Sequence, residues 1–260
     1  MLKNILLIGG SGTLGSAILN SEYFSQYSIL APSRKILDIT EPETIQNFFE
    51  KNEIDFVIDS SGLARMKKCE EYPTEALKTN IIGTSNLVME VMRKETSSGK
   101  TIRFVHISTD GVYPGTRGNY SEKDETIPYN KYGWTKLGEE CTVHLLQNFC
   151  IIRTSFFDSK NIRFDCSPTD AYFSKVKIDY LVKAIYIMLN QEFIGTINIG
   201  GEKKSYYKLY KEFKPSLKSC KFDDVLKDLS FPMARDSSLN SELWKKIKNG
   251  YSKNVNKSER

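Results

Sequence analysis

The stretch Lys3-Asn4-Ile5-Leu6-Leu7-Ile8, followed by Gly9-Gly10-Ser11-Gly12-Thr13-Leu14-Gly15, determines the fold that we expect for this chain. Its first half is an apolar run that ends in glycines, which is typical of a strand buried in a parallel sheet. Its second half has the spacing G-x-x-G-x-x-G and opens a helical segment. The first glycine permits a tight turn, the second lets the backbone approach a pyrophosphate, and the third lets the helix pack closely on the strand. We therefore expect a pyrophosphate to bind at the start of this helix.

Strand and helix patterns alternate along the rest of the chain. The predicted strands are residues 3–8, 27–30, 55–59, 102–108, 149–153 and 196–199, and the predicted helices are residues 13–20, 42–51, 73–94, 132–148 and 178–190. This alternation predicts an α/β fold, a doubly wound parallel sheet of the Rossmann type with helices on both faces.

The domain organisation follows from the same pattern. We expect a dinucleotide-binding core over residues 1–153 and a smaller substrate-binding region over residues 154–251. That region is interleaved with the last core helix and strand, at about residues 178–200. The polar residues 252–260 are expected to form a flexible tail.

Composition excludes several classes of protein. With 260 residues, 40% hydrophobic and 27% charged, the chain is expected to be globular. It has no apolar run of about 18 residues, so no membrane partner is expected. The five cysteines are scattered without metal-ligand spacing, which favours a reduced, cytoplasmic compartment and no metal site. The net charge of +5 forms no compact basic stripe, so no nucleic-acid partner is expected.

The residues after the second predicted strand bear on the choice of cofactor. An acidic residue there would bind the ribose 2′-hydroxyl of NAD. This sequence has Ala31-Pro32-Ser33-Arg34-Lys35 instead, and Arg34 could form a bidentate pair with a 2′-phosphate. We therefore favour NADP and keep NAD as the alternative, since the segment could also be an ordinary exposed basic loop. Asp38 is expected to contact the adenine.

Three residues form a candidate catalytic set. Tyr132 and Lys136 are four residues apart, so they share one face of the predicted helix. An ammonium near a phenol favours the phenolate and is expected to lower the pKa of the tyrosine, which prepares it for proton transfer at neutral pH. Thr109 follows a predicted strand, and ligands of open α/β sheets bind at the carboxyl ends of strands. The glycine loop ends at the same edge, so these parts converge on one crevice.

These motifs together resemble the extended short-chain dehydrogenase/reductases. Within them the chain is most similar to the dTDP-4-dehydrorhamnose reductase branch of sugar-nucleotide reductases. The stretches that carry the resemblance are residues 9–15, 37–42, 80–87, 106–113 and 129–139, followed by weaker similarity at 153–155, 167–169 and 235–239.

The resemblance implies roles for particular residues. Thr109 would be the catalytic hydroxyl, Tyr132 the proton donor and Lys136 its partner. The residues implied in cofactor binding are Gly9, Gly12, Thr13, Leu14, Gly15, Arg34, Asp38, Ile39, Ser60, Ser61, Gly62, Asn80, Tyr132 and Lys136. An enzyme of this branch passes hydride from NAD(P)H to the C4 carbonyl of a nucleotide-linked 4-keto-6-deoxy sugar, in polysaccharide biosynthesis. A homodimer through the helices at 73–94 and 132–148 is also implied.

Two departures from the family pattern keep alternatives open. Residues 156–178 are too few for the additional helix of this branch, which predicts a trimmed nucleotide-sugar site. Gly111 replaces a tyrosine of the branch and the glutamate of the related dehydratases. A sugar-nucleotide epimerase or dehydratase is therefore one alternative, and a non-catalytic NADP-binding regulatory subunit is another. His106 lies inside a predicted strand and is expected to be a core histidine with satisfied hydrogen bonds, not a catalyst.

Overall fold

The computed structural model describes residues 2–258 except Asn161, Arg163 and Asp228. Its strands, in chain order, are β1 (Lys3–Ile8), β2 (Tyr27–Leu30), β3 (Phe56–Asp59), β4 (Arg103–Thr109), β5 (Phe149–Thr154), β6 (Phe156–Phe157), β7 (Cys166–Pro168), β8 (Tyr172–Phe173), β9 (Val176–Lys177), β10 (Gly195–Ile199), β11 (Lys204–Ser205) and β12 (Lys218–Cys220). Its α-helices are α1 (Thr13–Leu19), α2 (Pro42–Lys51), α3 (Met66–Glu71), α4 (Pro73–Ala76), α5 (Gly83–Ser98), α6 (Lys131–Val143), α7 (Ile178–Leu189), α8 (Tyr206–Lys211), α9 (Phe222–Lys227) and α10 (Glu242–Ser258).

The central sheet has six strands in the order β10-β5-β4-β3-β1-β2. All of its neighbouring strands are parallel. From β1 the chain first moves outward to β2 and then returns to build β3 on the other side of β1. This reversal places a topological switch point between β1 and β3, where ligands of such sheets bind. The predicted doubly wound α/β fold is confirmed.

Apolar side chains cover both faces of the sheet, as its central position requires. Every residue of β4 and β5 is buried. On one face, Ile5 and Leu7 of β1 share a hydrophobic cluster with residues of α1, α7 and α10. On the other face, Leu6 shares a second cluster with residues of α2, α5 and α6. The two clusters hold the carboxyl ends of the strands at one fixed edge.

The helix predicted over residues 73–94 is built differently. It consists of α4, a π-helical segment at Leu77–Ile82, and α5, which continues to Ser98. Gly99 ends it with a positive φ of 69°, a conformation that favours glycine. The π-helical segment was not predicted, because hydrophobic periodicity does not report a local change of hydrogen-bond register.

Other predicted boundaries were close, with two differences near the site. The helix predicted over 132–148 begins at Lys131 and ends at Val143, because residues 144–148 turn into β5. The strand predicted over 102–108 runs from Arg103 to Thr109, so Thr109 is its last residue.

The chain after β5 forms small strand pairs beside the sheet. β6 pairs with β9 and β7 with β12 in parallel, and β8 pairs with β11 in antiparallel orientation. Among the described residues between β6 and β9 there is no helix, as the short spacing predicted. Regular structure continues after residue 203, with β11, α8, β12, α9 and α10.

The C-terminal helix α10 is longer than the sequence predicted. The backbone of α10 continues to Ser258, into the segment expected to be a flexible tail, and Glu259 and Arg260 lie outside the described residues. Within the described residues, no helix combines the length and the apolar character that crossing a membrane requires.

Candidate active site

The glycine loop connects β1 to α1 at the switch point. Gly9 has a positive φ of 83°, and a Cβ atom there would lie 2.7 Å from the carbonyl oxygen of Ser60. A Cβ atom on Gly15 would collide with the carbonyl oxygen of Gly9. Gly12 is the N-cap of α1 and no side chain caps the helix, so the first-turn N–H groups keep their capacity to bind an anion. The geometry therefore fits a phosphate group that approaches the backbone closely.

An open cleft runs from this loop across the carboxyl ends of the strands. One part, of about 490 Å³, is lined by Gly12, Thr13, Leu14, Gly15, Ser60, Ser61, Gly62, Thr109, Tyr132 and Lys136. A second part, of about 310 Å³, is lined by Gly9, Gly12, Arg34, Asp38, Ile39, Ser60, Ser61 and Gly62. Because the two parts share lining residues, they form one trough. Of the residues implied in cofactor binding, Asn80 alone lines neither part, and its buried amide instead accepts a hydrogen bond from Leu63 N at 2.7 Å.

A larger cavity, of about 670 Å³, lies between the end of β10 and the start of α10. Lys175, Tyr180 and Lys245 are among its lining residues. None of the predicted catalytic or cofactor-binding residues lines it, so size alone does not identify the candidate active site.

Thr109, Tyr132 and Lys136 all face the cleft. Thr109 is the last residue of β4, and its Oγ1 accepts a hydrogen bond from Gly111 N at 3.1 Å. Asn130 caps α6 by accepting a hydrogen bond from Gly133 N at 2.8 Å, which fixes the turn that carries Tyr132. The strand end and the helix start therefore bring the predicted catalytic set together.

The pKa of Tyr132 is raised, whereas the sequence predicted that Lys136 would lower it. Burial raises the pKa of the phenol above its usual value, and this outweighs the lowering by Lys136 and by the hydrogen bond with Thr109. The influence of Lys136 has the predicted sign, but the net direction is the opposite one. The reason is that desolvation disfavours the phenolate, a term that helix spacing does not reveal.

Sequence reasoning missed a buried cluster of charges behind Lys136. The Lys136 ammonium forms an ion pair with Glu139, one turn further along α6. Glu139 Oε2 also lies 2.9 Å from His106 Nε2, and His106 Nδ1 lies 3.0 Å from Asp59 Oδ2. The i, i+3 spacing of Lys136 and Glu139 was a usable signal, and so was an acid at the end of β3.

A second buried ion pair anchors α6 to the sheet. Arg153 Nη2 lies 2.7 Å from Glu140 Oε2, and its Nε contacts both oxygens of the same carboxylate. Arg153 Nη1 also donates to Tyr113 Oη at 2.8 Å. Breaking such a pair would leave a buried charge without a partner, so it fixes α6 against β5.

At the other end of the trough, Arg34 pairs with Asp38. Arg34 Nε donates to Asp38 Oδ2 at 2.8 Å, with 72% of the Arg34 side chain exposed. The pKa of Asp38 is lowered: burial opposes this, but the bonds from Arg34 and Thr40 outweigh it. The bond uses one of the five N–H donors of the guanidinium and leaves the others for a ligand. Arg34 and Asp38 both line the part of the trough where the adenosine end of a dinucleotide was expected.

The comparison with protein families decides the relationship. Residues 3–164 match the model of the family described as the RmlD substrate binding domain, which covers more than half of the chain. The chain belongs to this family. The predicted resemblance to the dTDP-4-dehydrorhamnose reductase branch is thereby confirmed. The matched residues of this chain include the glycine loop and all three predicted catalytic residues.

Individual relatives agree with this assignment. The spore coat polysaccharide biosynthesis protein SpsK of Bacillus subtilis is 29% identical over 157 residues, which are 60% of this chain and 53% of that protein. A structure of a hypothetical dTDP-4-dehydrorhamnose reductase from Sulfolobus tokodaii is 28% identical with a TM-score of 0.80, covering 94% of each chain. The dTDP-4-dehydrorhamnose reductase of Bacillus anthracis, in complex with NADP, has a TM-score of 0.83 at 20% identity and covers 94% of this chain and 92% of its own.

At 20% identity, the similarity to the Bacillus anthracis structure shows the fold alone. The matched segments amount to about half the length of the first curated relatives.

Proposed function

We propose that this RmlD family member is an NADPH-dependent reductase of a nucleotide-linked 4-keto-6-deoxy sugar. One observation carries the proposal: Thr109, Tyr132 and Lys136 line the same cleft as the glycine loop, within a chain of this family. The names of the relatives, dTDP-4-dehydrorhamnose reductases among them, support the choice of substrate.

The residues of the cleft have distinct roles in this proposal. Thr109, held at the end of β4, donates its hydroxyl hydrogen to the C4 carbonyl oxygen and orients it. Tyr132 gives its phenolic proton to the same oxygen as that oxygen becomes an alcohol, and Lys136 stabilises the resulting phenolate. The raised pKa of Tyr132 suits this direction of transfer, because the phenol is protonated before the reaction. NADPH, when bound, supplies the hydride.

The trough fits a dinucleotide along its length. Gly9 and Gly15 permit the tight loop, because Cβ atoms there would collide with backbone atoms of Ser60 and Gly9, and the uncapped start of α1 offers its first N–H groups to a pyrophosphate. Arg34 stands at the far end and supports NADP over NAD, since its remaining N–H donors suit a 2′-phosphate. Asp38 holds the guanidinium at that position and lies beside the expected adenine.

The sugar would occupy the opposite end of the cleft. Residues that follow β5 line this end, namely Thr154, Ser155, Phe156, Phe157 and Asp158. We assign substrate binding to the region 154–251 on this basis, with a smaller nucleotide site than in members that carry an additional helix. A role in polysaccharide biosynthesis agrees with the relationship to the spore coat protein.

A homodimer through α5 and α6 also stays a prediction. Met89 on α5 and Trp134 on α6 have 58% and 53% of their surfaces exposed, respectively, and such large apolar residues suit an interface. Size-exclusion chromatography with light scattering would test it. The cytoplasmic location is likewise a prediction and rests on the reduced cysteines expected from the sequence.

The test is reduction of a dTDP-linked 4-keto-6-deoxyhexose, followed as NADPH oxidation at 340 nm and by identification of the sugar product. Tyr132→Phe is expected to lower kcat by roughly 10²–10⁴-fold, because it removes the proton donor and keeps the ring. Its NADPH affinity, measured by titration calorimetry, is expected to stay within about twofold of the parent value, because the glycine loop and Arg34, which hold the phosphates in this proposal, are unchanged.

Other outcomes would separate the alternatives. Tightly bound NAD released on denaturation, with C4 inversion and no net oxidation of NADPH, would identify an epimerase. NADPH binding without turnover of any keto sugar would favour the regulatory subunit. Absence of binding of either cofactor would overturn the proposal altogether.

A further inference from the structure

His106 is placed between two carboxylates. It pairs with Asp59 in the register of β4 and β3, and its Nδ1 lies 3.0 Å from Asp59 Oδ2. Its other ring nitrogen, Nε2, lies 2.9 Å from Glu139 Oε2, although the direction of approach does not meet hydrogen-bond geometry. A neutral imidazole has only one N–H group and could satisfy one of these oxygens, whereas an imidazolium has two. The placement therefore favours the protonated ring.

The charges of the cluster balance when His106 is protonated. Asp59, His106, Lys136 and Glu139 are each at most 3% exposed. Unpaired charges in such an environment are costly, while two carboxylates with two cations sum to zero. The pKa shifts have the same directions. Burial and Lys136 lower the pKa of His106, but its hydrogen bond to Asp59 and its contact with the Glu139 carboxylate outweigh them and raise it.

Glu139 connects this histidine to the catalytic helix. Its Oε2 contacts both Lys136 Nζ and His106 Nε2. Its Oε1 is buried and has no hydrogen-bond partner among the described residues. A Cβ atom placed on Gly62, in the floor of the cleft, would lie 3.9 Å from that oxygen. The carboxylate therefore stands directly beneath the cofactor trough, with a free acceptor site.

We propose that Glu139 and His106 are positioning residues that return a proton to Lys136 after each reduction. This inference rests on the proposed function for its catalytic part. The phenolic proton of Tyr132 goes to the new alcohol, and the Lys136 ammonium then gives a proton to the phenolate. The Lys136 amine then receives a proton by way of Glu139, and Glu139 takes the replacement proton from Nε2–H of the His106 imidazolium. His106 is left neutral, with its Nδ1–H proton shared with Asp59, and regains its Nε2 proton between turnovers from water in the cleft by way of Glu139, whose Oε1 lies beneath Gly62.

The groups around the histidine are few. From β3, Asp59 faces the ring, and from α6, Lys136 and Glu139 do so. On the other side, β5 places Ile151 in register with His106, which offers no titratable group. Burial raises the pKa of the Cys69 thiol on α3 to about 11, and the nearby charge of Glu139 adds to this effect. The thiol therefore stays neutral. Within the described residues, Asp59, Lys136 and Glu139 therefore determine the charge of the ring.

The first test needs no substrate. The chain has two histidines, so ¹⁵N-histidine NMR of the intact protein shows His106 together with His144, which is exposed and serves as the internal reference. We expect the titration of His106 to move to lower pH by about one unit in Glu139→Gln, because one anionic neighbour becomes neutral. The His144 signal is expected to be unchanged, and His144→Gln assigns the two signals. An unchanged His106 titration, or a neutral His106 at pH 6, would overturn the proposal.

The second test is rapid mixing of enzyme with NADPH and keto sugar. Glu139→Gln and His106→Gln are expected to complete a first turnover at the parent rate and then slow about tenfold, giving a burst of one NADPH per site. A structural role would slow the first turnover equally, and that result would overturn the relay. If no sugar is reduced at all but the NMR coupling is present, the proposed function fails and the coupling of His106 to Glu139 stands.

Discussion

The amide of Asn80 donates a hydrogen bond to Thr135 Oγ1 at 2.8 Å and so joins the π-helical segment to α6 next to Lys136. The same side chain accepts from Leu63 N at 2.7 Å, beside the glycine that lines the cofactor trough. Asn80 is 1% exposed. One buried amide thus fixes the distance between the floor of the cleft and α6, which carries Tyr132 and Lys136.

We therefore expect Asn80→Ala to reduce both stability and turnover. Loss of the amide leaves buried groups without partners, which costs about 1–3 kcal/mol. Asn86→Ala is a matched control, because Asn86 is also a buried asparagine and donates to Ile39 O at 2.9 Å, away from the reactive residues. Urea unfolding should show a loss in both variants, while kcat should fall several-fold only in Asn80→Ala. Equal kcat values would contradict a role in aligning the site.

The second prediction concerns cofactor choice. Arg34→Ala is expected to weaken NADPH binding roughly tenfold and to leave NADH binding unchanged, because only NADPH carries the 2′-phosphate. Lys35→Ala, an exposed basic neighbour outside the trough, is the control for net charge. Titration calorimetry with both cofactors at one salt concentration provides the measurement. A similar loss in the two variants would indicate a general electrostatic effect instead.

The third prediction compares two glycines in helices. A methyl group on Gly15 would meet the Gly9 carbonyl, so Gly15→Ala should destabilise the protein by about 2 kcal/mol or more. Gly250 lies in α10, and a Cβ atom there would have no neighbour within 4 Å. Gly250→Ala should therefore stabilise the protein by about 0.5–1 kcal/mol through helix propensity. Opposite shifts of the urea midpoint are expected, and a tolerated Gly15→Ala would count against the close packing of α1 on β1.

The fourth prediction concerns pH. The folded-state pKa of His106 is raised, so its charge contributes stability below its unfolded value of about 6.5 and this contribution is lost as pH rises through the folded value. The difference in unfolding free energy between the parent and His106→Gln should therefore be largest near pH 6 and shrink toward pH 9. The pKa of Asp59 is lowered: burial opposes this, but its partners outweigh it, and its contribution is lost only under acid conditions.

Urea unfolding at several pH values, with His144→Gln in parallel, supplies the measurement. A pH-independent difference would show that folding leaves the pKa of His106 unchanged, and a difference that grows from pH 6 to pH 9 would show that the ring is neutral in the folded protein.

Much of the fold was predictable because its signals are local. The apolar run of β1 and the glycines after it specify a buried strand and a tight turn, and both lie where they were expected. The small strands β6 to β9 were not predicted, because they contain two or three residues each and their pairing is a tertiary property. The π-helical segment was missed for a similar reason, since Asn80 takes its place through contacts distant in sequence.

The candidate site was predictable where a motif fixes geometry. Helix spacing was enough to place Tyr132 beside Lys136, and strand order brought Thr109 to them. His106 is buried, as predicted, but the expectation that its hydrogen bonds are satisfied was wrong for Nε2, which has no hydrogen-bond partner among the described residues. Its two acidic neighbours come from β3 and α6, which only the folded chain brings together. The net pKa of Tyr132 was likewise beyond sequence reasoning, because desolvation depends on the whole surrounding structure.

The packing of α1 has a consequence for biosynthesis on the ribosome. Leu14 and Ile18 belong to a hydrophobic cluster completed by Leu181, Ile185 and Trp244, which the ribosome adds long after the first helix. Until those residues emerge, one apolar face of the growing sheet stays open to water. Such unfinished surfaces invite aggregation. A nascent chain stalled near residue 170 should therefore recruit chaperones, although it already contains Thr109, Tyr132 and Lys136.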